Sequence, residues 1–141
     1  MIFGNIMAMQ QKDVKRMLAY SSIAQAGYMM VGIIAADTAG MKATMFYAVL
    51  YVFANVGAFA VLAVVEAQKG STTHRMMNGL AQSAPVLAAV MTISLLSMAG
   101  IPPTAGFAGK LYLFTAVVDQ GYLWLAFVGF VMSMISVYYY L

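Results

Sequence analysis

The sequence predicts an all-α fold, a polytopic bundle of transmembrane helices with about four to five spans, one of them an interrupted helix over 85-118. Three observations carry that prediction. First, 64% of the 141 residues are apolar and 8% are charged, with a mean hydropathy of +0.88; an ordinary soluble domain is about 45–50% apolar and roughly 25% charged. Second, the seven Lys and Arg and four Asp and Glu are grouped, leaving long uncharged stretches between them. Third, one of those stretches contains Ala-Gly-Ile-Pro-Pro-Thr-Ala-Gly, Ala99 to Gly106, whose tandem prolines lack donors and clash with a preceding helical turn. A water-soluble monomer and a disordered chain are both excluded by this composition. The absence of Cys excludes a disulfide framework, a thiolate metal site and an iron–sulfur cluster. The net charge of +3 reads as loop charge that sets orientation in a lipid bilayer, not as an affinity for nucleic acid.

Met1 to Met9 reads as the tail of a span. Lys12, Asp13, Lys15 and Arg16 then form a charged cluster, and Met17 to Ala36 is free of charge for twenty residues, enough to cross a hydrocarbon core of about 30 Å. Asp37 and Lys42 bracket a short polar turn containing Gly40. Ala43 to Val65 gives twenty-three uncharged residues, a second full span. Glu66 to Ser83 is the one polar loop. Pro85 to Ile101 begins at a proline, favoured in a first helical turn, and stops at the break. Thr104 to Val118 is helical again but, at about 22 Å, too short to span alone. Gly121 to Leu141 is a last apolar run ending in three tyrosines.

The two halves around the break form either a hairpin or a single interrupted crossing. With one crossing, the loops alternate sides. One side then carries Lys12, Lys15, Arg16, Lys69 and Arg75, and the other Lys42 alone, the asymmetry that sets orientation. The interrupted crossing is therefore expected. Irregular backbone at membrane depth is tolerated only where it is buried in protein or lines a wet cavity, a device of ion and substrate transporters.

Lys110 is the residue with the most chemistry, since a lysine within the membrane costs about 2.5–3.5 kcal/mol on insertion scales. It either snorkels to the interface or sits in a wet cavity beside the break, where it could load and release a proton. No acidic partner for it lies within the spans. Lys15 and Arg16 read as orientation anchors, with Lys15 a possible relay if drawn inward. Ser21, Ser22 and Gln25 share one helix face by their spacing. They serve either as hydrogen-bonding glue between helices or as the lining of a proton path, and Asn55 admits the same two readings. Small residues at Ser22, Ala26, Ala54 and Ala58 allow close helix packing. His74 reads as a solvated loop residue, and Glu66 and Lys69 as interface residues. The Met and Tyr residues read as packing and interfacial anchors. No phosphate loop, dinucleotide fingerprint, metal-ligand set or nucleophile triad can be assembled.

Gly4-Asn5, the run Lys15-Arg16-Met-Leu-Ala-Tyr-Ser-Ser-Ile-Ala-Gln-Ala-Gly-Tyr28, and Leu95 to Tyr112 around the break strongly resemble the antiporter-like membrane subunits of NADH–quinone oxidoreductase, respiratory complex I. The ending Val-Tyr-Tyr-Tyr-Leu narrows the resemblance to one kind of subunit in that family. The resemblance implies inverted five-helix repeats, each with a broken helix, and a central axis of charged residues that passes protons. Lys110 then occupies the place of the key lysine on the second repeat's broken helix, with Gly100, Pro102, Pro103 and Gly106 forming the break. Lys15 falls on the family's Lys-Arg pair, and Gln25 stands where many relatives have a titratable His. Residues 1-141 are accordingly expected to be a partial proton-translocating membrane domain, most of the second repeat, with the first repeat absent. The implied partners are other membrane-arm subunits, in a bacterial plasma membrane. NADH, FMN, iron–sulfur clusters and quinone are expected in those partners, with no cofactor bound by this chain. A multi-subunit sodium/proton antiporter or membrane-bound hydrogenase shares these motifs, and a non-pumping scaffold fragment is the third alternative.

Overall fold

The computed structural model describes residues 1–141 and consists of helices alone: α1 (Ile2–Met9), α2 (Val14–Ile34), α3 (Thr38–Lys69), α4 (His74–Met77), α5 (Leu80–Ser83), α6 (Pro85–Ala99), α7 (Ala105–Asp119) and α8 (Leu123–Tyr140). Three of them, α2, α3 and α8, are long and apolar enough to cross a membrane. The helix limits follow capping chemistry. Asp13 caps α2 by accepting from the Lys15 N–H at 2.9 Å, and Asp37 caps α3 through the Gly40 N–H at 2.7 Å. Pro85 opens α6, and Gly70 ends α3 in the left-handed conformation, φ 74°.

These caps correct several expected boundaries. The polar turn expected between Asp37 and Lys42 is instead the first turn of α3. The polar loop also starts later, because Glu66 to Lys69 continues α3 up to Gly70. Two single-turn helices, α4 and α5, lie inside that loop. Ala26 was expected at a helix contact but is exposed, whereas Ala54 and Ala58 are buried.

Helix α3 runs for 32 residues, about 48 Å, and settles the topology of the break. Ser94 of α6 packs on Gly57; Ser97, Met98 and Gly106 lie over Tyr51 and Ala54; Gly109 of α7 meets Tyr47; and the Tyr112 ring stands edge-on to Phe46, 5.6 Å between centroids. Advancing from Ser94 to Tyr112, the chain moves steadily back along α3. That is one antiparallel crossing with a broken centre, since a hairpin would retrace the same contacts. The two ends agree. At one end the Val14 N–H donates to the Thr72 carbonyl, the His74 N–H to the Lys12 carbonyl, and Lys15 pairs with Glu66 at 2.9 Å. At the other end the Gln120 side-chain amide donates to Asp37 at 2.9 Å. The five cations Lys12, Lys15, Arg16, Lys69 and Arg75 thus belong to one end.

The outward faces are apolar. Met45, Val49, Val52, Phe53 and Val56 on α3 are 56–75% exposed, as a lipid-facing surface should be. The polar side chains turn inward instead: Asn5, Ser21, Gln25, Ser94, Lys110 and Ser136 are all buried.

The Asp13 carboxyl is held below the usual carboxylate range, chiefly by the Thr72 hydroxyl and further by the Lys15 N–H and the nearby cations. A depressed folded-state value stabilises the structure above the ordinary carboxylate value, and that contribution is lost as pH falls through the folded value. Docking of the Ser71–His74 segment on α2 is therefore expected to loosen in acid, seen as faster amide exchange at Val14 and His74. Asp13→Asn should remove the acid dependence; an unchanged pH response in that variant would overturn the assignment.

Candidate functional site

The site is built where α6 ends and α7 begins. Leaving α6, the chain turns through Gly100 at φ 76° and passes Pro102 and Pro103 before α7 resumes at Ala105. A broken helix leaves its last carbonyls without partners from the next turn, and their partial negative charge is directed at whatever lies beyond. Here that is Lys110. Its ammonium donates to the Met98 carbonyl at 3.1 Å and the Ala99 carbonyl at 3.4 Å, and the residue is only 4% exposed. Snorkelling to the interface is ruled out by that burial. The stem needs space as well: a Cβ on Gly100 would come within 2.9 Å of Lys110 Cδ, so this glycine serves the turn and the lysine together. Of the sequence neighbours of Lys110, Leu113 packs inward, while Phe107, Leu111 and Tyr112 face outward.

Three further features surround the ammonium. The ring of Tyr28 lies beneath it, 4.7 Å from nitrogen to centroid. Gln25 donates to the same Met98 carbonyl at 3.3 Å and to the Tyr140 hydroxyl at 3.2 Å, and accepts from the Tyr47 hydroxyl. Between α7 and α8 a mostly apolar groove of about 300 Å³, open to the outer face, reaches Lys110, lined by Phe107, Leu111, Phe130 and Ser133 among others. The Ser133 hydroxyl is buried there with no hydrogen-bond partner.

Around this point a polar cluster extends through the bundle. Asn5 donates to the Tyr28 hydroxyl at 3.3 Å and accepts from the Tyr139 hydroxyl at 2.6 Å. Lys110, Gln25 and Ser21 of the expected residues are therefore brought together in the interior, with Ser21 bonded back to the Leu18 carbonyl at 2.9 Å. Ser22 is half-buried and bonds only to the Ala19 carbonyl. Asn55 meets Tyr51 at 3.4 Å. Lys15 lies outside the cluster, half-exposed and paired with Glu66. Sequence reasoning misses Tyr47, and takes Asn5, Tyr28, Tyr139 and Tyr140 only as parts of motifs. Tyr28 carried a usable signal, since Ser21, Gln25 and Tyr28 follow the i, i+4, i+7 stripe of one helix face. No three His, Cys, Asp or Glu side chains converge on a metal-sized site.

Comparison with known proteins bears on this arrangement. The family model of the NADH:quinone oxidoreductase/Mrp antiporter transmembrane domain matches residues 1–136. NADH-quinone oxidoreductase subunit N of Heliobacterium modesticaldum is 61% identical over the whole chain, and that of Desulfitobacterium hafniense 54%. A chain in the solved structure of respiratory complex I from Thermus thermophilus with bound aureothin superposes with a TM-score of 0.87 at 37% identity, covering 99% of this chain. The chain spans 30–32% of the length of these three relatives. They are bacterial, and the chain is an integral segment of the plasma membrane. It belongs to the NADH:quinone oxidoreductase/Mrp antiporter transmembrane family.

Proposed function

We propose that this chain forms most of the second repeat of a subunit N, within the proton-translocating membrane arm of a respiratory NADH:quinone oxidoreductase, and that Lys110 carries the proton. Its neighbours would be the other membrane-arm subunits, and the redox cofactors and quinone would lie in partner subunits. Subunit N is what the Heliobacterium and Desulfitobacterium relatives are called, which favours this reading over a sodium/proton antiporter.

The observation that carries the proposal is the company kept by the Lys110 ammonium. Only neutral groups hold it: two helix-end carbonyls and an aromatic face. An ammonium paired to a carboxylate would be locked in its charged form, whereas one held by neutral dipoles loses little attraction when it deprotonates. The amine lone pair takes a proton from a hydronium ion, forming the ammonium and leaving water; passing that proton on to another water restores the amine. The groove beside Lys110 is mostly apolar, so the water that carries the proton would reach the amine along the buried polar side chains, Gln25 and Tyr140 among them. Lys15, Ser21, Ser22, Gln25 and Asn55 would line or support the route. Pairing with Glu66 suits Lys15 to the rim of such a path more than to its centre.

The test is Lys110→Ala in the intact complex, in membrane vesicles driven by NADH. Proton uptake should fall at least about tenfold while the complex assembles at its normal level. Wild-type pumping by an assembled variant would sink the assignment.

A further inference from the structure

Tyr28 is fully buried, and its ring is clamped from two sides. Asn5 holds the hydroxyl, and Asn5 is itself held by Tyr139; the Phe114 ring meets Tyr28 edge-on, 6.3 Å between centroids and at 69°. A tyrosine kept only for its hydrogen bond could point its ring anywhere that packing allows. Here the face is presented to Lys110 Nζ at 4.7 Å, inside the roughly 6 Å within which a cation is attracted by the ring quadrupole. The chain's one salt bridge, Lys15 to Glu66, is on the surface, so no carboxylate of this chain competes for that ammonium. Water screens such an attraction, and desolvation strengthens it.

We infer that the Tyr28 ring face is the electrostatic partner of the proton-carrying nitrogen, standing in for a carboxylate by stabilising the ammonium without neutralising it. The inference rests on the reading of Lys110 given above. A second consequence concerns the hydroxyl, which orients the ring through Asn5 but contributes nothing to the attraction itself.

The experiment separates ring from hydroxyl and both from folding. In the intact complex, Tyr28→Phe and then phenylalanines bearing one, two and three ring fluorines are placed at position 28 by nonsense suppression. Fluorine withdraws the ring's negative face while barely changing its size. NADH-driven proton pumping per assembled complex is measured for each, beside Lys110→Ala. Tyr28→Phe measures what the hydroxyl contributes by orienting the ring, and the fluorinated series should decline stepwise to about tenfold below Tyr28→Phe. A flat fluorinated series would overturn the inference, and so would a Tyr28→Phe variant already as slow as the trifluorinated one, which would make the hydroxyl the operative group. Full pumping by Lys110→Ala would instead remove the reading of Lys110 on which the inference stands. With Lys110→Ala inactive and the series flat, only the role of the ring falls.

Discussion

Gly106→Ala is expected to prevent the folded protein from accumulating in the membrane. The Cα of Gly106 lies against the last turn of α6, and an added methyl group would overlap the Ser97 carbonyl oxygen and come within 2.6 Å of the carbonyl carbon. Both partners are backbone, so no side-chain rotation relieves the clash. Overpacking a core usually costs about 1–3 kcal/mol, but that range assumes neighbours able to yield. Here the two half-helices must separate, and the separation also pulls Met98 and Ala99 away from Lys110. The cost should therefore exceed that range. Gly121→Ala is the matched control: its φ of 85° imposes strain, but nothing lies within 4 Å of an added Cβ, so about 1–2 kcal/mol is expected. Immunoblots of washed membranes should show the control near wild-type level and Gly106→Ala severely depleted. Equal amounts of the two would mean that the half-helices do not approach closely at Gly106.

Composition and charge spacing were enough to place the spans, because bilayer thickness imposes a length that uncharged runs reveal directly. The break was equally visible, since Gly100, Pro102 and Pro103 cannot be anything else in an apolar run. Boundaries were less legible. Asp37 looks like a loop charge in the sequence and is a cap in the structure, which starts α3 five residues before Ala43. The hairpin or single-crossing question turned on long-range packing along α3, to which local sequence is blind; only the charge asymmetry bore on it, and it pointed the right way.

The site divided in the same manner. Lys110 stood out because a membrane lysine is expensive and its sequence context was unusual. Tyr139 and Tyr140 did not, because a terminal tyrosine run looks the same whether it anchors at the interface or turns inward. In the structure both are buried, and Tyr139 bonds across to Asn5 near the opposite terminus. A contact between residues 134 positions apart leaves no periodic trace. Gln25 was seen on the correct face, but glue and proton path could not be separated from spacing alone.

The geometry of Gln25 gives the glue reading a measurable size. Its amide joins α2 to three other helices, through Tyr47 on α3, Met98 on α6 and Tyr140 on α8. Gln25→Leu keeps nearly the same volume and removes all three bonds, leaving two buried hydroxyls without that partner. A buried polar group left unpaired costs about 1–3 kcal/mol, yet hydrogen bonds between membrane helices average only about 0.6 kcal/mol and reach about 1.7, because the unfolded chain in lipid also finds partners. Three such bonds amount to about 2–5 kcal/mol, so the purified complex should inactivate at a distinctly lower temperature. Gln25→His can keep two of the three bonds, since a neutral imidazole has one donor and one acceptor, and should lose about a third as much. The order wild type, His, Leu in thermal inactivation is the expected result; a Leu variant as stable as wild type would show that these bonds do not hold the four helices together. Function should suffer separately from stability. Because Gln25 and Lys110 share the Met98 carbonyl, Gln25→Leu leaves that acceptor to the lysine alone and should slow pumping even at temperatures where the complex is intact. A variant impaired in stability but not in pumping would confine Gln25 to the clasp and leave Lys110 with its carbonyls and its ring.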